Sequence, residues 1–430
     1  MSEQHITETS FKSLNLPAEL LQSLDEAGFS HCTPIQEASL PFALKGLDVA
    51  GQAQTGTGKT AAFLVAVMSR LINQPAPESR KQNQPRALIL APTRELAIQI
   101  HKDAVSLAKH TNIVLALAYG GTGYESQRKA IEDGCDILIG TPGRVIDYFN
   151  KRVFDLRMAQ AVVLDEADRM FDLGFIKDIR FLLRRMPDPD KRLSLLFSAT
   201  LSHRVMELAF EHMNDPESVV IEAEKLTADK VSQMVYHTGN DEKIPLLLGL
   251  MQAKDPHRSI VFANTKRAVE TIWAYLEGND ITAGMLSGDV PQNKRQRLLA
   301  DFVDGKVAVL VATDVAARGL HVPGVSHVFN YDLPDNSEDY VHRIGRTARF
   351  GESGDAISFA CETYAFNLMD IESYLGHKIE VATLDPSLMI TPKKPVPRPK
   401  WSGGGGKRSG KGGNSGSGHR HSRNANSRQR

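Results

Sequence analysis

Short apolar runs alternate with longer amphipathic stretches over most of this chain. Candidate strands fall at 48–53, 86–91, 113–118, 136–139, 161–164 and 193–197. Each leads into a polar or Gly-containing turn and then into a helical pattern, as at 61–71. The run Ala87-Leu88-Ile89-Leu90-Ala91 is apolar at every position, so both of its faces are expected to be buried. Such runs predict a parallel sheet covered by helices on both sides. Around 216–230 the alternation breaks into a charged stretch, 222–230, and then restarts. Residues 259–263 precede an amphipathic helix that runs through Glu277, and 308–312, 326–330 and 356–360 follow as strands. The pattern predicts an α/β protein with two tandem parallel-sheet domains, 1–220 and 231–390, joined by a linker at 221–230. Residues 391–430 are Pro/Lys-rich and then Gly-, Ser-, Arg-, Lys-, Asn- and His-rich. With almost nothing to bury they cannot offset their ordering entropy, so a disordered tail is expected there.

Composition agrees with two folded cores. The chain has 430 residues, 41% of them hydrophobic, which exceeds what one ordinary domain holds. Cys32, Cys135 and Cys361 are far apart and form no C-x-x-C pair, so neither a structural zinc nor a disulfide framework is expected. Three scattered cysteines suit a reducing cytosol. The first ten residues lack an apolar signal core, and no apolar run approaches the ~18–20 residues of a membrane helix. The expectation is a cytoplasmic protein with a monomeric body and no membrane partner.

Charge changes the picture more. Lys plus Arg and Asp plus Glu both number 51, for a formal net charge of zero. That total argues against an evenly basic nucleic-acid coat. It hides a split, because 40 of the basic and all 51 of the acidic residues lie up to Asp385, and 11 basic residues lie beyond it. The chain is a mildly acidic body with a basic tail.

Candidate chemistry begins at Ala53-Gln54-Thr55-Gly56-Thr57-Gly58-Lys59-Thr60, which follows a predicted strand and opens a predicted helix. It matches the phosphate-loop pattern G-x-x-x-x-G-K-S/T apart from Ala53 at the first glycine. The glycines let backbone N–H groups close round phosphate oxygens, and the helix N-terminus adds favourable partial charge. Lys59 is placed to reach the β and γ phosphates of ATP, and the Thr60 hydroxyl to ligate Mg²⁺. Leu164-Asp165-Glu166-Ala167-Asp168 follows another apolar strand. Asp165 at the strand end can hold the Mg²⁺ hydration shell, and Glu166 can orient and deprotonate a water for attack on the γ-phosphate.

With these motifs in order, the chain resembles the DEAD-box ATP-dependent RNA helicases of superfamily two. The namesake motif is Asp165-Glu166-Ala167-Asp168, and the resemblance runs from about Phe11 to Ile379. It implies two tandem RecA-like parallel-sheet domains with a disordered basic C-terminal tail. Gly28-Phe29 and Thr33-Pro34-Ile35-Gln36 resemble the family's Q motif; Gln36 would read the adenine edge and Phe11 would pack on the base. An amide offers a donor and an acceptor together, which suits adenine. Ser198-Ala199-Thr200 would couple hydrolysis to strand separation through the hydroxyls of Ser198 and Thr200. The stretch from Tyr340 to Arg349 resembles the last helicase motif. There Arg346 and Arg349, three apart on one helix face, would act as arginine fingers, and His342 would bond back to the acidic motif.

The same resemblance implies RNA contacts at Pro92, Thr93, Arg94, Glu95 and Leu96, at Gly120 and Gly121, and at Thr141, Pro142, Gly143 and Arg144. In the second domain it implies Asn264, Thr265, Gln292, Arg295, Thr313 and Asp314. Contacts of this kind face backbone and 2′-OH, so RNA would be bound without regard to sequence. Two positions depart from the family pattern. His321 stands where most members have an Asp that contacts ribose, which predicts a weaker and more pH-sensitive grip on ATP. Ala348 replaces a Gly and would stiffen its helix. Longer stretches, 173–180 and 315–323, resemble a bacterial branch of the family. That branch implies ribonuclease E and polynucleotide phosphorylase as partners in an RNA-degrading assembly.

The function expected is RNA-stimulated ATP hydrolysis coupled to local unwinding of structured RNA. Two rivals are an RNA-binding clamp or scaffold with little unwinding and a DNA translocase of related fold. Lys59, Glu166 and the two arginines argue against the first; the Q motif and acidic motif argue against the second. The basic tail would then tether RNA in a salt-sensitive way.

Overall fold

Residues 6–54, 56–221, 231–288, 290–317, 322, 324–347 and 354–397 are described in the computed structural model of the protein. Strands β1 (Val49–Gln52), β2 (Ala87–Leu90), β3 (Leu115–Ala118), β4 (Ile137–Gly140), β5 (Ala161–Asp165), β6 (Leu193–Ser198) and β7 (Glu217–Val220) form one sheet. Its order is β3-β4-β2-β5-β6-β1-β7. Every pairing in it is parallel. A second sheet holds β8 (Val231–His237), β9 (Ser259–Phe262), β10 (Ala283–Leu286), β11 (Val309–Ala312), β12 (His327–Asn330), β13 (Gly354–Ala360) and β14 (Glu380–Val381). Its order is β10-β11-β9-β12-β13-β8-β14, also parallel throughout. Counted each from its own first strand, both sheets read 3-4-2-5-6-1-7. The architecture is one plan used twice.

Residue types explain the layers. Along β2, Ala87 and Ile89 face one core and Leu88 and Leu90 the other. β4 and β5 split in the same way, with Ile137, Ile139, Ala161 and Val163 on one side and Leu138, Val162 and Leu164 on the other. A strand with helices on both faces must be apolar on both, which is why these runs do not alternate with polar residues.

The parallel strands bring chemistry to one edge. β5, β6 and β1 are neighbours, with Gln52 level with Ser198 and Asp165 level with Phe197. The loops leaving these three strands therefore share the carboxyl edge, where open α/β sheets bind ligands. β3, β4 and β2 form the other half of that edge and deliver the segments at Gly120, Thr141 and Pro92. The second sheet repeats the division, since β10, β11 and β9 lead to Gln292, Thr313 and Asn264.

Two expectations are corrected here. β7 and β8 flank the charged stretch where no strand was read. β7 is an edge strand with only Val219 buried, so its sequence carries no apolar period. The tail does not begin at 391. Residues through 397 run along the second sheet's helices, where Val396 N–H donates to Ala274 O (3.0 Å) and Lys393 pairs with Asp280 (2.6 Å). Gly278 makes room for this strap, because a Cβ there would collide with the carbonyl of Lys394. The rest of the predicted tail, 398–430, and the predicted linker from 222 to 230 lie outside the described residues.

Candidate nucleotide and RNA site

The phosphate loop leaves β1 and enters the helix Lys59–Asn73 through Gly58, whose φ of +94° is left-handed. A side chain there would be strained and would also meet Gln36 Nε2 at 2.5 Å. Thr57 Oγ1 donates to Gln54 O (2.8 Å), which tightens the turn, and Gly56 also has positive φ. Lys59 is the first helical residue, and its buried ammonium donates to Ala53 O at 2.6 Å across the mouth of the loop. Thr60 follows, half-buried. Thr55 lies outside the described residues.

Asp165 ends β5 and is 3% exposed. Burial pushes its carboxyl up to about 7, against the pull of the Lys59 ammonium, and the Glu166 carboxylate adds to the rise. Glu166 caps the helix Ala167–Asp172 with φ +52°, a conformation that costs about 1–3 kcal/mol for a non-glycine residue. Its N–H donates to Asp165 Oδ1 (3.0 Å). Ser198, fully buried at the end of β6, accepts the N–H of Asp168 at 3.3 Å. Thr200 follows two residues on, half-buried. The donor set of one buried carboxylate, Asp165, and one hydroxyl, Thr60 in the first turn of the phosphate-loop helix, suits a divalent cation that keeps water and takes its other ligands from phosphate.

Gln36 is 1% exposed; its Oε1 accepts from Thr33 N–H (2.8 Å) and its Nε2 donates to Gly58 O (2.9 Å). The amide therefore clamps the Q segment to the phosphate loop and retains one N–H and one lone pair for a base. Phe11, also 1% exposed, lies in the core with its ring edge-on to Phe29. His321 and Arg349 lie outside the described residues, as does Ala348.

Across the cleft, the helix Ser337–Ile344 of the second sheet approaches the acidic loop. Arg169, directly after the acidic motif, pairs with Asp339 at 2.7 Å and contacts His342 Nδ1. His342 thus reaches the acidic motif's neighbour, Arg169. Arg346 is buried in the turn that follows this helix, which ends at Ile344, so the expectation that it sits on a helix face is corrected. Arg343, 1% exposed, binds Asp314 through two contacts of 2.6 Å, Asn264 Oδ1 at 2.8 Å and Asp332 O at 2.5 Å. Asp332 in turn takes the Lys243 ammonium at 2.6 Å and the Asn264 N–H at 3.0 Å.

Among the RNA candidates, Thr93 caps the helix Arg94–Leu107 by accepting from Leu96 N–H (3.3 Å), and Thr265 caps Lys266–Gly278 by accepting from Ala268 N–H (3.1 Å). Pro92 is buried. Thr141 precedes the helix Pro142–Asn150, Gly143 opens to space, and the Arg144 guanidinium lies 4.9 Å from the Tyr124 ring and 5.3 Å from Tyr148. Thr313 O accepts from Ala316 and Ala317 N–H, which starts the short helix Asp314–Ala317. Arg94 covers Gly121 (φ +101°) and faces Gln292 Oε1 at 3.4 Å. Gln292 Nε2 donates to Glu95 at 3.0 Å. Arg295 sits 2.7 Å from the same carboxylate, although its Nε–H is not aimed along the contact.

Glu95, Asn264 and Asp314 each commit side-chain groups to internal partners. Arg295 is turned inward, holding Glu95 and the carbonyl of Ala316. The motif sense missed Arg169, Arg343, Asp332 and Lys243. A basic residue directly after the acidic motif was the one signal available, and its partner lies 170 residues away.

Twin parallel sheets, a phosphate loop, an acidic loop and an arginine-bearing helix facing them across a cleft define a nucleotide-driven motor of the RecA-like helicase class. Residues 33–208 match the DEAD/DEAH box helicase family model and residues 242–351 the helicase conserved C-terminal domain. A curated protein of Psychromonas ingrahamii, ATP-dependent RNA helicase RhlB, is 59% identical over 390 residues, covering 91% of this chain and 93% of that one. Its namesake in Shewanella denitrificans is 58% identical over 385 residues, covering 90% and 89%. The structure of S. cerevisiae Dbp5 bound to RNA and ADP BeF3 superposes with a TM-score of 0.77 at 32% identity, covering 87% of this chain and 95% of that one. Mss116 bound to ssRNA and UDP-BeF gives 0.77 at 28% identity, covering 89% and 82%. The chain belongs to the DEAD-box ATP-dependent RNA helicases.

Proposed function

We propose that this helicase is a nucleotide-gated RNA clamp in which ATP and RNA favour the same closed arrangement of the two sheets. Supporting this is the placement of the phosphate loop and acidic loop on the same sheet edge, at the ends of β1 and β5 on either side of β6, with the second sheet's helix Ser337–Ile344, which leads into Arg346, set against them. Lys59 and the loop N–H groups would hold the β and γ phosphates. Mg²⁺ held by Thr60 and Asp165 would neutralise charge that develops on the phosphate oxygens. Glu166 would align a water and take its proton. Arg346, with Arg349, would stabilise charge from the opposite side.

The same closure would complete an RNA track along the β3-β4-β2 and β10-β11-β9 edges. Thr93, Arg94, Gly121, Thr141, Gly143 and Arg144 would line it on one side, and Thr265, Gln292 and Thr313 on the other. Because the track meets phosphate and ribose rather than base edges, binding would be indifferent to sequence. Local strand separation on closure, then reopening after hydrolysis, completes the cycle. The bacterial resemblance further supports a cytoplasmic role beside ribonuclease E and polynucleotide phosphorylase, unfolding RNA for degradation. A pull-down with purified ribonuclease E tests that partner. Phosphate release measured with and without a structured RNA tests the activity: strong stimulation is expected, and a rate indifferent to RNA would refute the clamp.

A further inference from the structure

Arg169 stands between the acidic loop and the second sheet, and neither the motif pattern nor the mechanism above gives it a task. Its guanidinium is buried among charges: Nη1 lies 2.7 Å from Asp339 and 3.4 Å from Asp172, and Nη2 donates to His342 Nδ1. Asp339 and His342 are one turn apart on the helix Ser337–Ile344, so a single side chain grips one face of that helix. On its own side Arg169 is three residues from Glu166, whose left-handed backbone sets the acidic loop. Arg346 lies in the turn that follows this helix.

A guanidinium and a carboxylate held this far from water persist as a pair, since either one alone would carry its full cost of lost hydration. When the cleft opens both rehydrate, so the pair strengthens only the closed form. An interaction present in one of two states shifts the balance between them. The contact to His342 also fixes chemistry, because Nδ1 must accept, which leaves the proton of a neutral imidazole on Nε2.

We infer that Arg169 is a positioning residue for ATP hydrolysis, a buried latch that forms on closure and holds the arginine helix against the acidic loop. It touches no substrate and acts through His342 and Arg346. The inference rests on the helicase mechanism proposed above.

The test uses the full chain with Arg169→Gln, Asp339→Asn, Arg169→Lys, the single reversals Arg169→Asp and Asp339→Arg, and the two reversals together. RNA-stimulated kcat, ATP binding without RNA, and closure with AMP-PNP (dyes on the two halves) are read, with urea midpoints to check the fold. Arg169→Gln and Asp339→Asn are expected to lower kcat and the closed-to-open ratio by about tenfold, the scale of ordinary coupling between sites, while RNA-free ATP binding changes far less. Arg169→Lys should recover part of both, because the charge remains without the fork. The double reversal should close better than either single one. Unchanged kcat and closure in a folded Arg169→Gln would overturn the latch. So would a double reversal no better than its parents. If Arg169→Gln does not fold, the comparison of Arg169→Lys with wild type decides. Wild type without RNA stimulation would instead refute the helicase mechanism itself.

Discussion

Asp165 carries its carboxyl at the buried end of β5, where the Lys59 ammonium opposes the rise that burial causes. The neighbouring Glu166 is the residue whose chemistry is most exposed to a single change. Glu166→Gln should lower kcat by about 10²–10⁴-fold, the range of a lost general base, while ATP and RNA still bind and RNA release slows. Single-turnover hydrolysis and RNA dissociation kinetics check it; wild-type release rates would contradict the gating role. A structural residue behaves differently. Lys243→Ala leaves Asp332 buried without its ammonium, and a loss of about 3–5 kcal/mol in urea unfolding is expected. The places of Lys59, Thr60, Asp165 and Glu166 at a strand-to-helix turn and a strand end were legible in the sequence, because the motifs that carry them have fixed local spacing. Arg169 and Arg343 were not, because their meaning lies in partners such as Asp339 and Asn264 that the chain brings back only by folding. An aromatic in a motif looks the same in sequence whether it is stacked on a base or sunk in a core.

Strands that are apolar on both faces announced themselves, and β2, β4, β5, β6, β9 and β11 lie within a residue or two of their expected bounds. β8, Val-Ser-Gln-Met-Val-Tyr-His, and β10, with its Gly284, carry too mixed a pattern to read. Helix caps were hidden in the RNA candidates, where Thr93 and Thr265 serve their own helices before any ligand. The strap at 383–397 was illegible because its binding site is made of absent side chains. Gly249 would place a Cβ against the carbonyl of Leu388, as Gly278 would against Lys394. Gly278→Val should therefore dislodge the strap at a cost of about 1–3 kcal/mol, the range for overpacking. Limited proteolysis should then cut within 383–397 sooner than in wild type; unchanged cleavage would argue that the strap contributes nothing.

Over the whole molecule, the repeated strand order divides one edge of each sheet in the same way, which under the proposed function lets a single closing motion complete both the nucleotide and the RNA site. Stability should depend on pH through His101, His212 and His327. Burial lowers all three, with Glu211 and Asp355 partly opposing it at the last two. A lowered histidine favours the neutral form in the fold, so its contribution is full above the unfolded value near 6.5 and is lost as pH falls through the folded value. Urea midpoints should decline below that pH, and His101→Gln with His327→Gln should flatten the decline. The tail belongs to this scale too. Removing 398–430, while keeping the strap residues through Pro397, should weaken RNA binding mainly at low salt and leave RNA-free ATPase unchanged.

What ties these scales together is the proposal that nucleotide and RNA are held by one closed state. The most direct test is the dissociation constant for a single-stranded RNA at fixed salt, measured with AMP-PNP·Mg²⁺ and with ADP·Mg²⁺. Tighter RNA binding with AMP-PNP is predicted, by about 5–150-fold, matched by an equal tightening of AMP-PNP binding when RNA is present. Equal RNA affinity in the two nucleotide states would contradict the account.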